Sequence, residues 1–268
     1  MNGVCMNATK YRAPIASVVL AVHIMSGLSC MQTPNPEFIG MKLSFSRADE
    51  ERYLAAVMDA SLVRYAGIDV PMIDNISIVT EGSRSALCLR LIPGQPLKNN
   101  GIRAEIAVDY PFAAGATVNY QWCFKIGADF RSDAPKNRWW VMGQWHDQPD
   151  AARGETWNGF PANSPPILLG YGFTNGTHAL GLSYGSPNST AIGYFPVIPD
   201  TWMTIRAVIH WALDASGSIV ITTNGATALT ANGRNMHNAY QHYLKLGQYR
   251  QRDIQSDNRV YIDDLVIY

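Results

Sequence analysis

The chain has 268 residues, 47% of them hydrophobic and 10% aromatic, enough apolar surface for one large core, and no charge run, repeat or Pro/Ser/Gly linker marks an internal boundary. Its 21 basic and 21 acidic residues cancel, which excludes a broad electrostatic attraction for nucleic acid or for an anionic membrane. An anionic partner must therefore be met by local contacts.

Residues 1–30 read as an export signal. Lys10 and Arg12 precede an apolar run over 13–25 that is too short to span a bilayer comfortably, and small residues and Cys30 follow it. Leu28-Ser29-Cys30 is similar to a bacterial lipoprotein cleavage box, with Gly27 where a larger aliphatic residue is usual. Lipidation of Cys30 and simple cleavage nearby both stay open. The expectation is an extracytoplasmic protein, whether secreted, periplasmic or an outer-membrane lipoprotein, with no membrane span. If Cys5 leaves with the signal and Cys30 is lipidated or idle, Cys88 and Cys123 remain, a pair that permits one disulfide.

Residues 31–74 read as a leader with one short helix over 47–58, where Arg-Ala-Asp-Glu-Glu-Arg leads into Tyr-Leu-Ala-Ala-Val-Met. From 75 to 268 the pattern is strands and turns. Strands are expected over 76–80, 86–92, 102–109, 117–126, 138–146, 167–173, 178–184, 202–212, 217–223, 242–251 and 260–268. Pro93-Gly94, Asn99-Asn-Gly101, Asn175-Gly176 and Asn224-Gly225 separate them. With no helical period between strands, the fold class is all-β, a two-sheet jelly roll of the concanavalin A-like kind, and a monomer is expected.

Strand alternation then gathers a face. In Tyr243-Leu-Lys-Leu-Gly-Gln-Tyr-Arg-Gln251 it puts Tyr243, Lys245, Gly247, Tyr249 and Gln251 on one side and Leu244 and Leu246 on the other. In the strand over 102–109 it sets Arg103 and Glu105 apart from Ile102, Ala104 and Ile106. In the strand ending Gln144-Trp145-His146 it groups Trp140, Met142, Gln144 and His146. Each residue alone has a plain structural reading. Together, Arg103, Glu105, Gln144, His146, Lys245 and Tyr249 hold the parts needed for β-elimination at a uronic acid. The C5 proton, α to a carboxylate, becomes acidic only when that charge is neutralised, so the site needs cationic or amide donors, a base at C5 and an acid at the departing 4-oxygen. Arg103 and Gln144 can neutralise, His146 can take or relay the proton, and the phenol of Tyr249 can protonate the leaving oxygen.

Arg-x-Glu, Gln-x-His and Tyr-x-Lys-x-Gly-x-Tyr, in that order, resemble the jelly-roll polysaccharide lyases: the heparin-lyase-I-like group most closely, and also the family-7 alginate lyases. The closing Val260-Tyr-Ile-Asp-Asp-Leu-Val-Ile267 is similar to the terminal strand of the former. The resemblance implies His146 and Tyr249 as the catalytic pair, with Gln144, Arg103 and Lys245 contacting substrate. Glu105 and Tyr243 join them on the face as substrate contacts, and Arg250, which alternates to the other side, is expected to reach the groove from its rim. Two departures affect substrate identity: a second Arg usual in the alginate lyases is replaced by Ala107 or Val108, and the chain is too short for the accessory thumb of heparin lyase I. Zero net charge leans toward an unsulfated polyuronate such as alginate or glucuronan over heparin-like glycans.

No cofactor is required for this chemistry. Asp263, beside Asp264 on the last strand, is the candidate ligand for a structural calcium. Two other functions stay in view: a noncatalytic carbohydrate-binding sandwich using Trp139, Trp140, Trp145 and Trp157 as stacking platforms, and a glycoside hydrolase of similar fold. The absence of a paired acidic motif argues against the hydrolase.

Overall fold

The computed structural model describes residues 41–43, 66–98 and 100–268. The expected signal, the helix over 47–58, Cys5 and Cys30 lie outside the described residues. Two antiparallel sheets face one another. The first runs in the order β13 (Ala226–Asn232), β12 (Ser218–Thr223), β11 (Met203–His210), β6 (Thr117–Ile126), β15 (Asn258–Ile267), β4 (Arg84–Leu91) and β3 (Ile76–Glu81), with β1 (Met41–Leu43) beside the end of β15. The second runs β10 (Thr190–Pro196), β9 (Thr177–Tyr184), β8 (Ile167–Thr174), β7 (Trp140–His146), β14 (Tyr243–Arg250), β5 (Ile102–Val108) and β2 (Ala66–Asp69). Two strands of the expected leader, β1 and β2, are thus part of the sandwich.

Alternation builds the core. Tyr120, Trp122 and Phe124 of β6 point inward, and the first two meet Trp145 of β7, whose ring lies 5.4 Å from that of Tyr120 in an edge-on contact. The Asn-Gly turns behave as their chemistry dictates: Asn175 and Gly176, and Asn224 and Gly225, all take positive φ, the geometry that closes tight hairpins between β8 and β9 and between β12 and β13.

Two expectations about faces change. Residues Val141 and Gly143 of β7 pair with consecutive residues Gly170 and Leu169 of β8, so Met142 is an extra residue in a bulge. The bulge breaks alternation and turns Trp140 and Met142 into the core, away from Gln144 and His146. Arg250 is the second correction. It is fully buried, its guanidinium sits 4.6 Å over the Trp140 ring, and it donates to Ser256 Oγ and to the Ser256 carbonyl. Burial pulls its pKa down to about 10. Alternation alone places it inside, and the side chain does not reach the groove rim.

The cysteines also differ from the simplest pairing. Cys88 is a free, buried thiol and Cys123 is disulfide-bonded, so the two do not bond each other.

Candidate active site

The outer face of the second sheet carries the candidate groups. Strand β14 supplies Tyr243, Lys245 and Tyr249, and its register brings β7 and β5 alongside: Tyr243 opposes His146, Lys245 opposes Gln144, Gly247 opposes Glu105, and Tyr249 opposes Arg103. The structure therefore brings Arg103, Glu105, Gln144, His146, Tyr243, Lys245 and Tyr249 onto one surface, and leaves Arg250 beneath it. Gly247 permits this closeness: its φ is +140°, and a Cβ there would fall 2.3 Å from the Ala104 carbonyl oxygen.

At the centre is a buried charge cluster whose organiser carries no local signal in the sequence. Asp69, on β2, accepts from Arg103 Nη1 at 2.6 Å and from Lys245 Nζ at 2.7 Å through one oxygen, and pairs with Lys98 Nζ at 2.6 Å through the other. Burial by itself would raise its pKa, but the Lys245 ammonium and the Arg103 guanidinium hold the carboxyl far below the usual range. Glu105, fully buried, accepts from Gln144 Nε2 at 2.7 Å; its other oxygen lies 3.2 Å from Arg103 Nε as a charge contact without hydrogen-bond alignment. Three cations and two carboxylates meet here, so the patch keeps a local surplus of one positive charge. Gln144, with one amide hydrogen on Glu105, has the second to offer a ligand.

His146 and Tyr249 stand at opposite ends of this patch. His146 lies five residues along β7 from Val141, the partner of Tyr249, and Tyr249 lies six residues along β14 from Tyr243, the partner of His146. The Arg103 guanidinium lies 3.9 Å over the Tyr249 ring, and Trp139 packs against the same ring at 4.8 Å. Gly101 makes room for it: a Cβ there would fall 2.2 Å from Tyr249 Cε2.

His146 Nδ1 faces two oxygens of Asp147, the carboxylate Oδ1 at 2.7 Å and the backbone carbonyl at 3.0 Å. Both can only accept, so we assign the proton to Nδ1, which leaves the lone pair on Nε2. Asp147 is buried, which would raise its pKa, yet its contacts with His146 and Asn163 hold it below the usual carboxylate range. Tyr243, whose ring centroid is 6.0 Å from that of His146, has its phenol pushed up by burial and by the Glu105 carboxylate, and stays protonated. Trp157, 61% exposed, stands beside Tyr243 at 6.3 Å and packs on Phe160. Of the aromatic residues considered as sugar platforms, Trp140 and Trp145 are in the core and only Trp139 and Trp157 border the groove.

Sequence reasoning missed Asp69, Lys98, Asp147 and Asn163. Asp147 had a signal, since it directly follows the Gln-x-His motif; Asp69 had none before β2 was placed. Asp263 lies 3.6 Å from Arg84 Nε and accepts from the Asp264 amide. Among the described residues no group of three or more His, Cys, Asp or Glu side chains is arranged to hold a metal ion.

The chain belongs to the polysaccharide lyases: the family described as "Polysaccharide lyase" matches residues 73–266. The protein is accordingly a polysaccharide lyase built on a jelly roll. No curated protein sequence matches it. Among solved structures, it is similar to the endo-β-1,4-glucuronan lyase of the fungus Trichoderma reesei, at 16% identity and a TM-score of 0.54 over 85% of this chain and 94% of that one. The marine PL7 alginate lyase of Zobellia galactanivorans matches at 16% identity and a TM-score of 0.51, over 79% of this chain and 86% of that one. The catalytic domain of a glycoside hydrolase family 131 protein from Coprinopsis cinerea matches at 14% identity and a TM-score of 0.57, over 84% and 92%. Likenesses at such identities establish the fold, and the same fold evidently carries more than one chemistry.

Proposed function

We propose that the protein cleaves an unsulfated, uronate-containing polysaccharide, alginate or glucuronan, by β-elimination in the groove between His146 and Tyr249. The observation that carries this reading is the arrangement on one sheet face of an imidazole with its Nδ1 held by Asp147, a phenol, and amide and cationic donors between them. In the proposed step, Gln144 and the Arg103–Lys245 patch take the uronate carboxylate and lower the barrier to removing the C5 proton. His146 Nε2 accepts that proton, the C5–H electron pair becomes the C4=C5 double bond, and the C4–O pair leaves with oxygen 4, which Tyr249 protonates. For the epimer whose proton and leaving group share a side, Tyr249 serves both roles, and His146, at the other end of the patch, takes no part in the proton transfers.

The local charge supports the substrate class. All three cations are paired, each with Asp69 and Arg103 also with Glu105, and the two carboxylates leave a net surplus of one positive charge, suited to one carboxylate per sugar and too small for dense sulfate. The hydrolase reading is weaker in the same geometry: Asp69 and Glu105 oppose one another, but Asp69 is held ionised and cannot act as the protonated acid a hydrolase needs. Exported action in the periplasm or outside the cell fits the N-terminal 1–30 reading and a polymeric substrate. The test is a panel of alginate, glucuronan, heparin, heparan sulfate and chondroitin, followed by the near-ultraviolet absorbance of unsaturated uronate. Product from alginate or glucuronan is expected; product from heparin alone overturns the substrate assignment, and reducing ends without absorbance overturn the lyase step for these substrates.

A further inference from the structure

We propose that Asp147 is a positioning residue for His146, an inference that rests on the lyase reading of the groove. Asp147 is 1% exposed, yet it carries a charge, and a buried carboxylate is retained only where partners compensate its lost hydration. Its two oxygens are divided between two partners. Oδ1 lies 2.7 Å from His146 Nδ1 as a charge contact, the aligned hydrogen bond of Nδ1 going to the Asp147 carbonyl, and Oδ2 accepts from Asn163 Nδ2 at 2.7 Å, which locks the carboxylate in rotation. His237 and His242 face it from the segment before β14, and Tyr243 faces His146 from β14 itself. Neither histidine competes for the carboxylate as a direct partner: His237 bonds Ser186 Oγ and the Ser164 carbonyl, and His242 bonds the Tyr240 carbonyl and the His237 amide.

The arrangement has two chemical consequences. Before reaction, Asp147 keeps the proton on Nδ1, so that the nitrogen able to receive the C5 proton is Nε2. After the transfer, the imidazolium has a fixed negative charge beside it, and no proton passes to Asp147. A carboxylate at this place therefore selects the reactive tautomer and stabilises the charged product of proton abstraction.

Asp147→Asn keeps the size of the side chain and removes its charge. With the polyuronate that the wild type cleaves, the variant should lose roughly tenfold or more in kcat while KM stays within about twofold. Asn163→Ala, which unlocks the carboxylate without removing it, should lose less. The decisive comparison is the double variant: in a His146→Ala background, Asp147→Asn should cost nothing further, because it acts through the imidazole. Losses that multiply, or an Asp147→Asn enzyme with wild-type turnover, overturn the proposal. A readout independent of activity is the nitrogen-15 NMR pattern of the His146 ring, expected to be the Nδ1–H form in the wild type and a mixture in Asp147→Asn. An unchanged tautomer in the variant shows that the backbone carbonyl suffices and overturns the role of the carboxylate. If the ring pattern shifts as expected but no polyuronate yields unsaturated product, the positioning role stands and the lyase reading of the groove falls.

Discussion

Asp69→Asn removes the one negative charge shared by three cations while keeping the shape of the side chain. Side-chain exposures of 12% for Asp69, 7% for Arg103 and 10% for Lys245 make this a buried cluster, whereas Lys98, at 42%, is half in water and contributes little. Breaking a buried pair costs about 3–5 kcal/mol because the surviving charge is left without a counterion. Arg103 still has Glu105, so Lys245 is the main orphan and the lower end, about 3 kcal/mol, is expected. For a domain of this size that corresponds to a Tm lowered by roughly 6–12 °C. The pH dependence sharpens the test. The folded Asp69 pKa is depressed, so its stabilisation is complete above the ordinary carboxylate pKa near 4 and is lost as pH falls below it. The gap between wild type and variant, measured by urea unfolding, should therefore be full at pH 7 and narrow toward pH 3. A gap under about 1 kcal/mol at pH 7, or one that does not narrow in acid, refutes the reasoning.

The other predictions concern chemistry and packing. Tyr249→Phe should fold normally and lose about 3 kcal/mol of transition-state stabilisation, more than a hundredfold in kcat/KM, while Tyr243→Phe should lose less; stopped absorbance assays on the same substrate separate them. Gly101→Ala drives a methyl group to 2.2 Å from Tyr249 Cε2, so it should lower kcat by displacing the phenol, visible also as a changed Trp139 fluorescence. His242 has its pKa lowered to about 4 by burial, and an unfolded histidine titrates near 6.5, so the unfolded state takes up the proton first as pH falls. Its contribution is present above about 6.5 and should be lost by about 2 kcal/mol between pH 7 and pH 5, with a flatter profile in His242→Gln.

Strand alternation made much of the groove legible before any coordinates. The polar side of the strand from Tyr243 to Gln251 shares its surface with Arg103, Glu105, Gln144 and His146 because a period of two survives wherever pairing is regular. It fails at Met142, where an inserted residue shifts phase and sends Trp140 and Met142 inward, and no apolar pattern announces such an insertion. Strands β10 and β13, Thr-Ala-Ile-Gly-Tyr-Phe-Pro and Ala-Thr-Ala-Leu-Thr-Ala-Asn, were not expected because each lies at a sheet edge, with few buried side chains and a weak pattern. Arg250 was placed on the correct side of its strand by alternation, but its length suggested a reach to the rim that the Trp140 ring and Ser256 prevent.

The hydrogen bond from Lys245 to Asp69 joins positions 176 residues apart, and Lys245 and Arg103 meet no other carboxylate of β2. Contacts at such separation close a long loop and form late in folding, after local hairpins have paired. A chain in which β5, β7 and β14 have assembled ahead of β2 would hold Arg103 on the open edge strand β5 and Lys245 on β14 beside it. Docking of β2 does three things in one event: it pairs with the β5 edge, lowers the excess charge by one and fixes the donors on the groove face. Acquisition of the binding surface is thereby tied to completion of the sheet, and partly folded chains should be poor at capturing polyanions in a productive register.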